Sequence, residues 1–300
     1  MALISSLNTV PKICVYGGPG SGKTKLVGEL SSHYNLLWFD IDNGWSTLKT
    51  LSQDQQSRIN LIHLPDSKTY PIAVETWAKI IKGGPTSICS THGKVSCVIC
   101  TKASAPFESV DLSNLPANTV VVFDSLTQFG VSAIAHITKH QPDDYKLLLD
   151  DWGNLKFIVE KFLSQVQAAN YPIICITHEE EVTMEDGRTK LVPVCGSSKS
   201  SRNTGRYFSD IVYCSVKNKK HTFMSGSTAA NGILTSSRAG IAIEDLAVPS
   251  LLPFFLSPPS YGTVSTTIDT SLITKETVNT TNSTANNQAE RLRNLMNKSR

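Results

Sequence analysis

Four short apolar runs stand out along the first 180 residues: KICVYG (12–17), NLLWFD (35–40), TVVVFD (119–124) and YPIICIT (171–177). Each is rich in β-branched and aromatic residues and is bounded by turn or polar residues. Continuous apolarity of this kind predicts strands buried on both faces, as in a parallel sheet. Between them the spacing changes to a helical period, predicting helices over 22–33, 69–82 (with Ile72, Val74, Trp77, Ile80 and Ile81), 126–139 and 145–168. Strand and helix therefore alternate, which predicts an α/β fold with a mostly parallel central sheet and helices on both faces. After residue 180 the texture changes to the turn signal EDGR (185–188), a Gly/Ser/Lys/Arg stretch and two strand-like runs at 210–217 and 220–225. An antiparallel extension at the sheet edge is the expected outcome.

From about residue 257 the chain is Ser/Thr/Asn-rich and nearly free of aromatic residues. Such a segment cannot bury enough apolar surface to offset its ordering entropy, so a flexible tail is expected over 257–300. Only AERLRNLMNKSR at the end has the makings of a short, basic helix. The expected organisation is one core over 1–256 with an insertion at 84–104. No internal repeat is evident.

Composition changes this picture little. A 300-residue chain with 40% hydrophobic and 18% charged residues has enough material for a substantial globular core, and a net charge of +3 says nothing alone. No apolar run approaches a membrane span, and MALISSLNTVPK has neither a basic leader nor a long apolar segment, so a cytoplasmic location without membrane partners is expected. Of seven cysteines, three are clustered, while Cys14, Cys175 and Cys214 sit in strand-like runs and read as small buried side chains.

Chemistry enters with GGPGSGKT (17–24), which has the form G-x-x-x-x-G-K-T after a strand and at the opening of a helix. Gly17, Gly18, Gly20 and Gly22, with Pro19 and Ser21 between them, let the backbone curl so that successive N–H groups face an anion. Lys23 supplies charge for the β- and γ-phosphates of ATP, and Thr24 a hydroxyl for magnesium. Asp124 ends an apolar strand with Ser125 beside it, the Walker B arrangement that holds Mg2+. In LWFDIDNG, Asp42 lies just past a strand end and is the candidate water-activating carboxylate, with Asp40 supporting it. The strand end ITHEE adds Thr177 and His178 as candidate sensors of the γ-phosphate, at the edge where ligands of α/β sheets collect.

A second constellation lies between the predicted helix and the Walker B strand. Cys89, His92, Cys97 and Cys100 follow C-x2-H-x4-C-x2-C. Two tight corners carrying ligand pairs suit one tetrahedral Zn2+, structural because four protein ligands leave no open position. Such a zinc knuckle would fold a segment too short for a core of its own.

Taken together, the P-loop, FDIDNG, VVFDSLTQF, DDWGNL around Trp152 and ITHEE resemble the RecA-like phage nucleotide-binding ATPases, which include the Sak-four recombination proteins. The resemblance covers about residues 10–240 apart from the cysteine cluster. It implies a DNA-dependent ATPase in the host cytoplasm, acting on single-stranded DNA in recombination, annealing or replication, as a homo-oligomeric ring or filament, with a single-strand binding protein as a possible partner. It also implies Asp42 as catalytic base. In SVKNKKHTF the V-K-N-K match implies that Lys217 and Lys219 reach a neighbouring subunit's ATP, with Arg238 as the alternative.

Charge distribution points the same way. Between 188 and 221 there are eight Lys or Arg residues against one acid, Asp210. Such a concentration is the footprint of a phosphate backbone. GSSKSSRNTGR (196–206) reads as a mobile loop ordered by DNA, with Lys199, Arg202 and Arg206 as contacts; Tyr207 and Phe208 are the nearby aromatic residues for base stacking. The competing classes are a nucleotide or metabolite kinase, for which no lid segment is evident, and a non-catalytic nucleotide-dependent scaffold.

Overall fold

A computed structural model of the chain describes residues 10–66, 70–226, 232–238 and 240–256. The chain divides after Leu256 into two units, and the predicted tail with its terminal helix lies outside the described residues. The first strands are β1 (Lys12–Gly17), β2 (Asn35–Asp40) and β3 (Ile59–His63), interleaved with helices α1 (Lys23–Gly28) and α2 (Gln53–Ser57). Helix α3 (Ile72–Ile80) leads into the insertion, which contains β4 (Thr86–Cys89), α4 (Val98–Lys102) and β5 (Phe107–Val110). Then come β6 (Thr119–Asp124), α5 (Leu126–Thr138), α6 (Leu149–Ala168) and β7 (Ile173–Thr177). The remainder is β8 (Glu179–Thr183), β9 (Thr189–Pro193), α7 (Ser198–Thr204), β10 (Asp210–Lys217), β11 (Lys220–Met224) and β12 (Ser236–Ser237).

The central sheet has the order β11-β10-β1-β7-β6-β2-β3, with β12 alongside β10. From β10 to β3 every pairing is parallel, while β11 and β12 pair antiparallel with β10, so the α/β architecture with an antiparallel edge extension is as predicted. Residues of β1 and β6 are buried throughout because both faces are covered. Alternation sorts the side chains into two cores. Cys14, Tyr16, Phe39 and Phe123 pack on the α3, α5 and α6 side, where the rings of Trp77, Phe123 and Phe162 meet with centroids 4.7–5.1 Å apart. Ile13, Val15, Trp38 and Val122 pack on the other side with Leu26, Leu30 and Phe254. Among the described residues no helix is long and apolar enough to cross a membrane.

Four expectations change. The predicted 22–33 helix is α1 followed by a 3-10 turn at Glu29–Ser32. The 145–168 helix begins at Leu149, because the Asp151 carboxylate accepts the Leu148 N–H (2.8 Å) and the Tyr145 hydroxyl (2.6 Å). EDGR does turn a hairpin, but β8 and β9 form a ribbon separate from the main sheet. The 196–206 stretch is not an open loop: Ser197 caps α7 by accepting the Ser200 N–H, and Ser200, Ser201 and Thr204 are buried beneath it. Tyr207 and Phe208 are also buried, which removes them as base-stacking platforms.

Candidate nucleotide site and cysteine-histidine centre

The parallel pairings bring the carboxyl ends of β1, β2, β6 and β7 to one sheet edge, where ligands of such sheets bind. β1 runs directly into the glycine loop. At Gly17 (φ 152°) a Cβ would stand 1.9 Å from the Cys214 carbonyl oxygen, so only glycine lets β1 turn this close to β10. Gly20, by contrast, has nothing within 4 Å of its Cβ position, leaving the loop open where an anion would approach. Lys23 folds back beneath the loop, its Nζ donating to the carbonyl oxygens of Gly17 (2.9 Å) and Gly18 (2.8 Å). Burial lowers its pKa, opposed by Cys214, Asp124, Asp42 and Glu179. Ser21 Oγ is buried with no hydrogen-bond partner. An open cradle, an orphaned hydroxyl and an ammonium satisfied only by carbonyls fit a polyphosphate.

Three carboxylates face this loop. Asp124 stands in register with Asp40 on the adjacent strand. Asp124 is buried, and Thr24 Oγ1 donates to its Oδ2 at 3.5 Å. Burial, then Asp40 and Asp42, push its pKa up to about 8. Asp40 is fully buried and doubly held: its Oδ1 accepts the Gly44 N–H at 3.1 Å and its Oδ2 lies 3.0 Å from His63 Nδ1. Asp42 is half exposed, with Oδ2 3.6 Å from His178 Nε2 and accepting from Ser125 Oγ at 3.3 Å. The His178 hydrogen bond holds its pKa below the usual carboxylate range. Ser125 also caps α5 by accepting the Gln128 N–H. A hydroxyl and a carboxylate side by side, with two further acids close by, fit a divalent cation.

Thr177 requires a correction. It is fully buried, donates to the Val194 carbonyl at 2.6 Å and shares a 2.9 Å hydrogen bond with Thr127 Oγ1, so its hydroxyl is committed to the fold rather than free for a phosphate. Two further side chains border the loop: Glu179 of the ITHEE strand end, whose Oε1 lies 3.2 Å from the Cβ position of Gly18, and His221, which no sequence pattern singles out and whose Nδ1 lies 3.1 Å from that of Gly22. His221 comes from the β10–β11 hairpin. That hairpin turns tightly through Asn218 and Lys219, both at positive φ, and pairs Lys217 with Lys220 beside the P-loop. Arg238 is exposed at the other end of β10, where its N–H bonds Asp210. On α7, Lys199 and Arg202 point outward, while Arg206 lies over the Tyr207 ring (4.7 Å) and 3.6 Å from Glu160. The basic run is therefore spread over the β8–β9 ribbon, α7 with the turn after it, and the tip of the β10–β11 hairpin.

In the insertion, the ligand atoms of Cys89, His92, Cys97 and Cys100 all lie within 4.8 Å of one another. His92 Nδ1 is 3.9 Å, 3.6 Å and 3.1 Å from the Sγ atoms of Cys89, Cys97 and Cys100. A tetrahedral zinc with Zn–S of about 2.3 Å and Zn–N of about 2.0–2.1 Å requires S···N separations of about 3.6 Å, and the mean here matches. The three thiols are buried against Ala105 and Phe107, while Ile88 and Val110 of the insertion's strands pack into the main core. The cluster fits a structural zinc.

A family model described as an AAA domain matches residues 9–239. No curated protein matches the sequence. One solved structure, described as a prototypical ATPase from the type III secretion system of pathogenic bacteria, aligns at 13% identity and a TM-score of 0.38 over 70% of this chain and 52% of that one. This chain spans about half the length of that protein.

Proposed function

The chain belongs to the AAA domain family, with the P-loop of a nucleotide-binding ATPase, and on that premise we propose that it hydrolyses ATP with Mg2+ while acting on single-stranded DNA in recombination, annealing or replication. The observation that carries this reading is the convergence of the glycine loop, Lys23, Thr24, Asp124 and Asp42 at one sheet edge. In this reading the loop amides and Lys23 Nζ hold the β- and γ-phosphates, and Thr24 and Asp124 hold magnesium. Bound magnesium supplies positive charge that stabilises the developing negative charge of phosphoryl transfer. Asp42, kept ionised by His178 and Ser125, takes the proton of the attacking water at Oδ2. His178 orients that carboxylate and is the strand-end group left to sense the γ-phosphate, since Thr177 is occupied.

Lys217 and Lys219, exposed at the tip of the β10–β11 hairpin, suit a contact with a neighbouring subunit's nucleotide, so hydrolysis would depend on assembly into a ring or filament. Lys199 and Arg202 on α7, with Arg206 in the turn that follows it, suit a DNA backbone. The Sak-four-like phage recombination proteins are the group this combination resembles. A single-strand binding protein is a fitting partner. The test is ATP turnover with and without single-stranded DNA, beside the salt dependence of DNA binding. DNA should stimulate turnover, and reversing Lys199 and Arg202 to Glu should flatten the slope of log K against log salt by about 1.4, the loss of two single-strand phosphate contacts. Turnover indifferent to DNA, with no salt-sensitive binding, would remove the DNA role.

A further inference from the structure

The loop carrying His92 is wedged between β3 and α3. Gly93, next to that ligand, has φ 63°, and a Cβ there would lie 2.9 Å from the His63 carbonyl oxygen and 3.1 Å from Leu64 Cα. On the other side, buried Thr76 of α3 donates its hydroxyl to the Gly93 carbonyl at 2.7 Å, and the Gly93 N–H returns to Cys89 O at 2.9 Å. The contact falls on the two residues that grip Asp40. The Leu64 N–H donates to the Asp40 carbonyl at 2.8 Å, and His63 Nδ1 meets the Asp40 carboxylate at 3.0 Å. Asp40 in turn lies across the sheet from Asp124.

We propose that Cys89, His92, Cys97 and Cys100 bind one zinc ion whose closure presses the 89–94 loop against the end of β3, making His63 a positioning residue for Asp40 and, through it, for the magnesium site. The argument is geometric. A segment of this size has too little core to hold its own shape, and a four-ligand metal makes it rigid. A rigid loop in backbone contact with residues 63–64 fixes where His63 stands. His63 bonds Asp40, the carboxylate beside the magnesium-holding Asp124; loss of a residue that orients a metal site typically changes metal affinity about tenfold or more, which sets the scale of the expected effect.

The proposal rests on the ATPase reading, and its test separates the two. Zinc per chain is measured in the full-length protein, and binding of a fluorescent ATP analogue is titrated against Mg2+. Wild type should carry one zinc per chain. Cys97→Ser should lose the zinc and raise the Mg2+ needed for half-maximal binding about tenfold, with metal-free nucleotide affinity unchanged. His63→Ala should do the same with zinc retained. His63→Asn, whose amide N–H can donate from nearly the place of Nδ1, should restore the wild-type Mg2+ requirement. Combining Cys97→Ser with His63→Ala should add nothing, because both act through one contact. If Cys97→Ser fails to fold, chelation of zinc from folded wild type and His63→Ala takes its place. A wild type without zinc, zinc loss with an unchanged Mg2+ requirement, an Asn variant as impaired as Ala, or additive effects would each overturn the proposal. A wild type that binds no nucleotide would instead overturn the ATPase reading.

Discussion

Asp124→Asn should abolish hydrolysis and stabilise the magnesium-free protein, by an amount that grows with pH. The folded carboxyl has its pKa pushed from 3.8 up to about 8 by burial and by Asp40 and Asp42, whereas in the unfolded chain it titrates near its ordinary value. A raised folded pKa means that the neutral form suits the native state. That stability is complete below about pH 4, is lost steadily as pH rises to about 8, and is constant above. Four units at about 1.4 kcal/mol each make the loss on the order of 5 kcal/mol. Asparagine is neutral throughout and escapes it. Against this stands the weakened Thr24 contact at 3.5 Å, worth about 0.5–1 kcal/mol. The net advantage is about 4 kcal/mol at pH 8 and about 1 kcal/mol at pH 5. At roughly 2–4 °C per kcal/mol for a chain of this size, the variant should melt about 10 °C higher at pH 8 in chelator, with a far smaller gap at pH 5. Saturating Mg2+ and ATP should narrow the gap by stabilising only the wild type. A gap independent of pH, or a wild type that melts higher at pH 8 without magnesium, would refute the assignment of Asp124 as an uncompensated buried acid.

Two further outcomes follow from the same edge of the sheet. Gly17→Ala places a methyl group 1.9 Å from the Cys214 carbonyl, so the β1–β10 pairing must open; a loss of about 3 kcal/mol in a denaturant melt is expected, and an unchanged midpoint would show that the loop can shift there. His178→Ala removes the largest influence depressing the Asp42 pKa, so the acid limb of the pH–rate profile should move to higher pH. A profile that keeps its acid limb in place would detach Asp42 from proton transfer.

Much of this site is legible in the sequence because its parts are local. The glycine loop is contiguous, its strand and helix flank it, and Asp124 ends a run of six residues that are all buried. The four zinc ligands lie within twelve residues, and tight spacing alone brings them together. What escapes the sequence depends on tertiary placement. INLIH (59–63) is a short edge strand of mixed burial without a strong apolar run, so neither β3 nor His63 is evident before the sheet order is known. Thr177 occupies the strand-end place of a phosphate sensor, yet Val194 O and Thr127 claim its hydroxyl. In the 196–206 stretch the small polar composition suggests a loop, but a serine cap and inward Ser200, Ser201 and Thr204 side chains make a helix, where packing overrides propensity.

The three acids at the sheet edge also indicate which one the cation needs. Asp40 has His63 and the Gly44 N–H; Asp42 has His178 and Ser125. Among the described residues Asp124 has no ion-pair partner, only a long hydroxyl contact from Thr24 and the more distant charge of Lys23. Two of the three mutually repelling carboxylates thus have partners in the protein, and Asp124 is left over. Leaving a buried acid in that state is costly unless something else supplies the charge. A protein that paired all three would gain stability and lose its reason to bind magnesium, so the unpaired acid marks the place where ligand binding, rather than folding, completes the electrostatics.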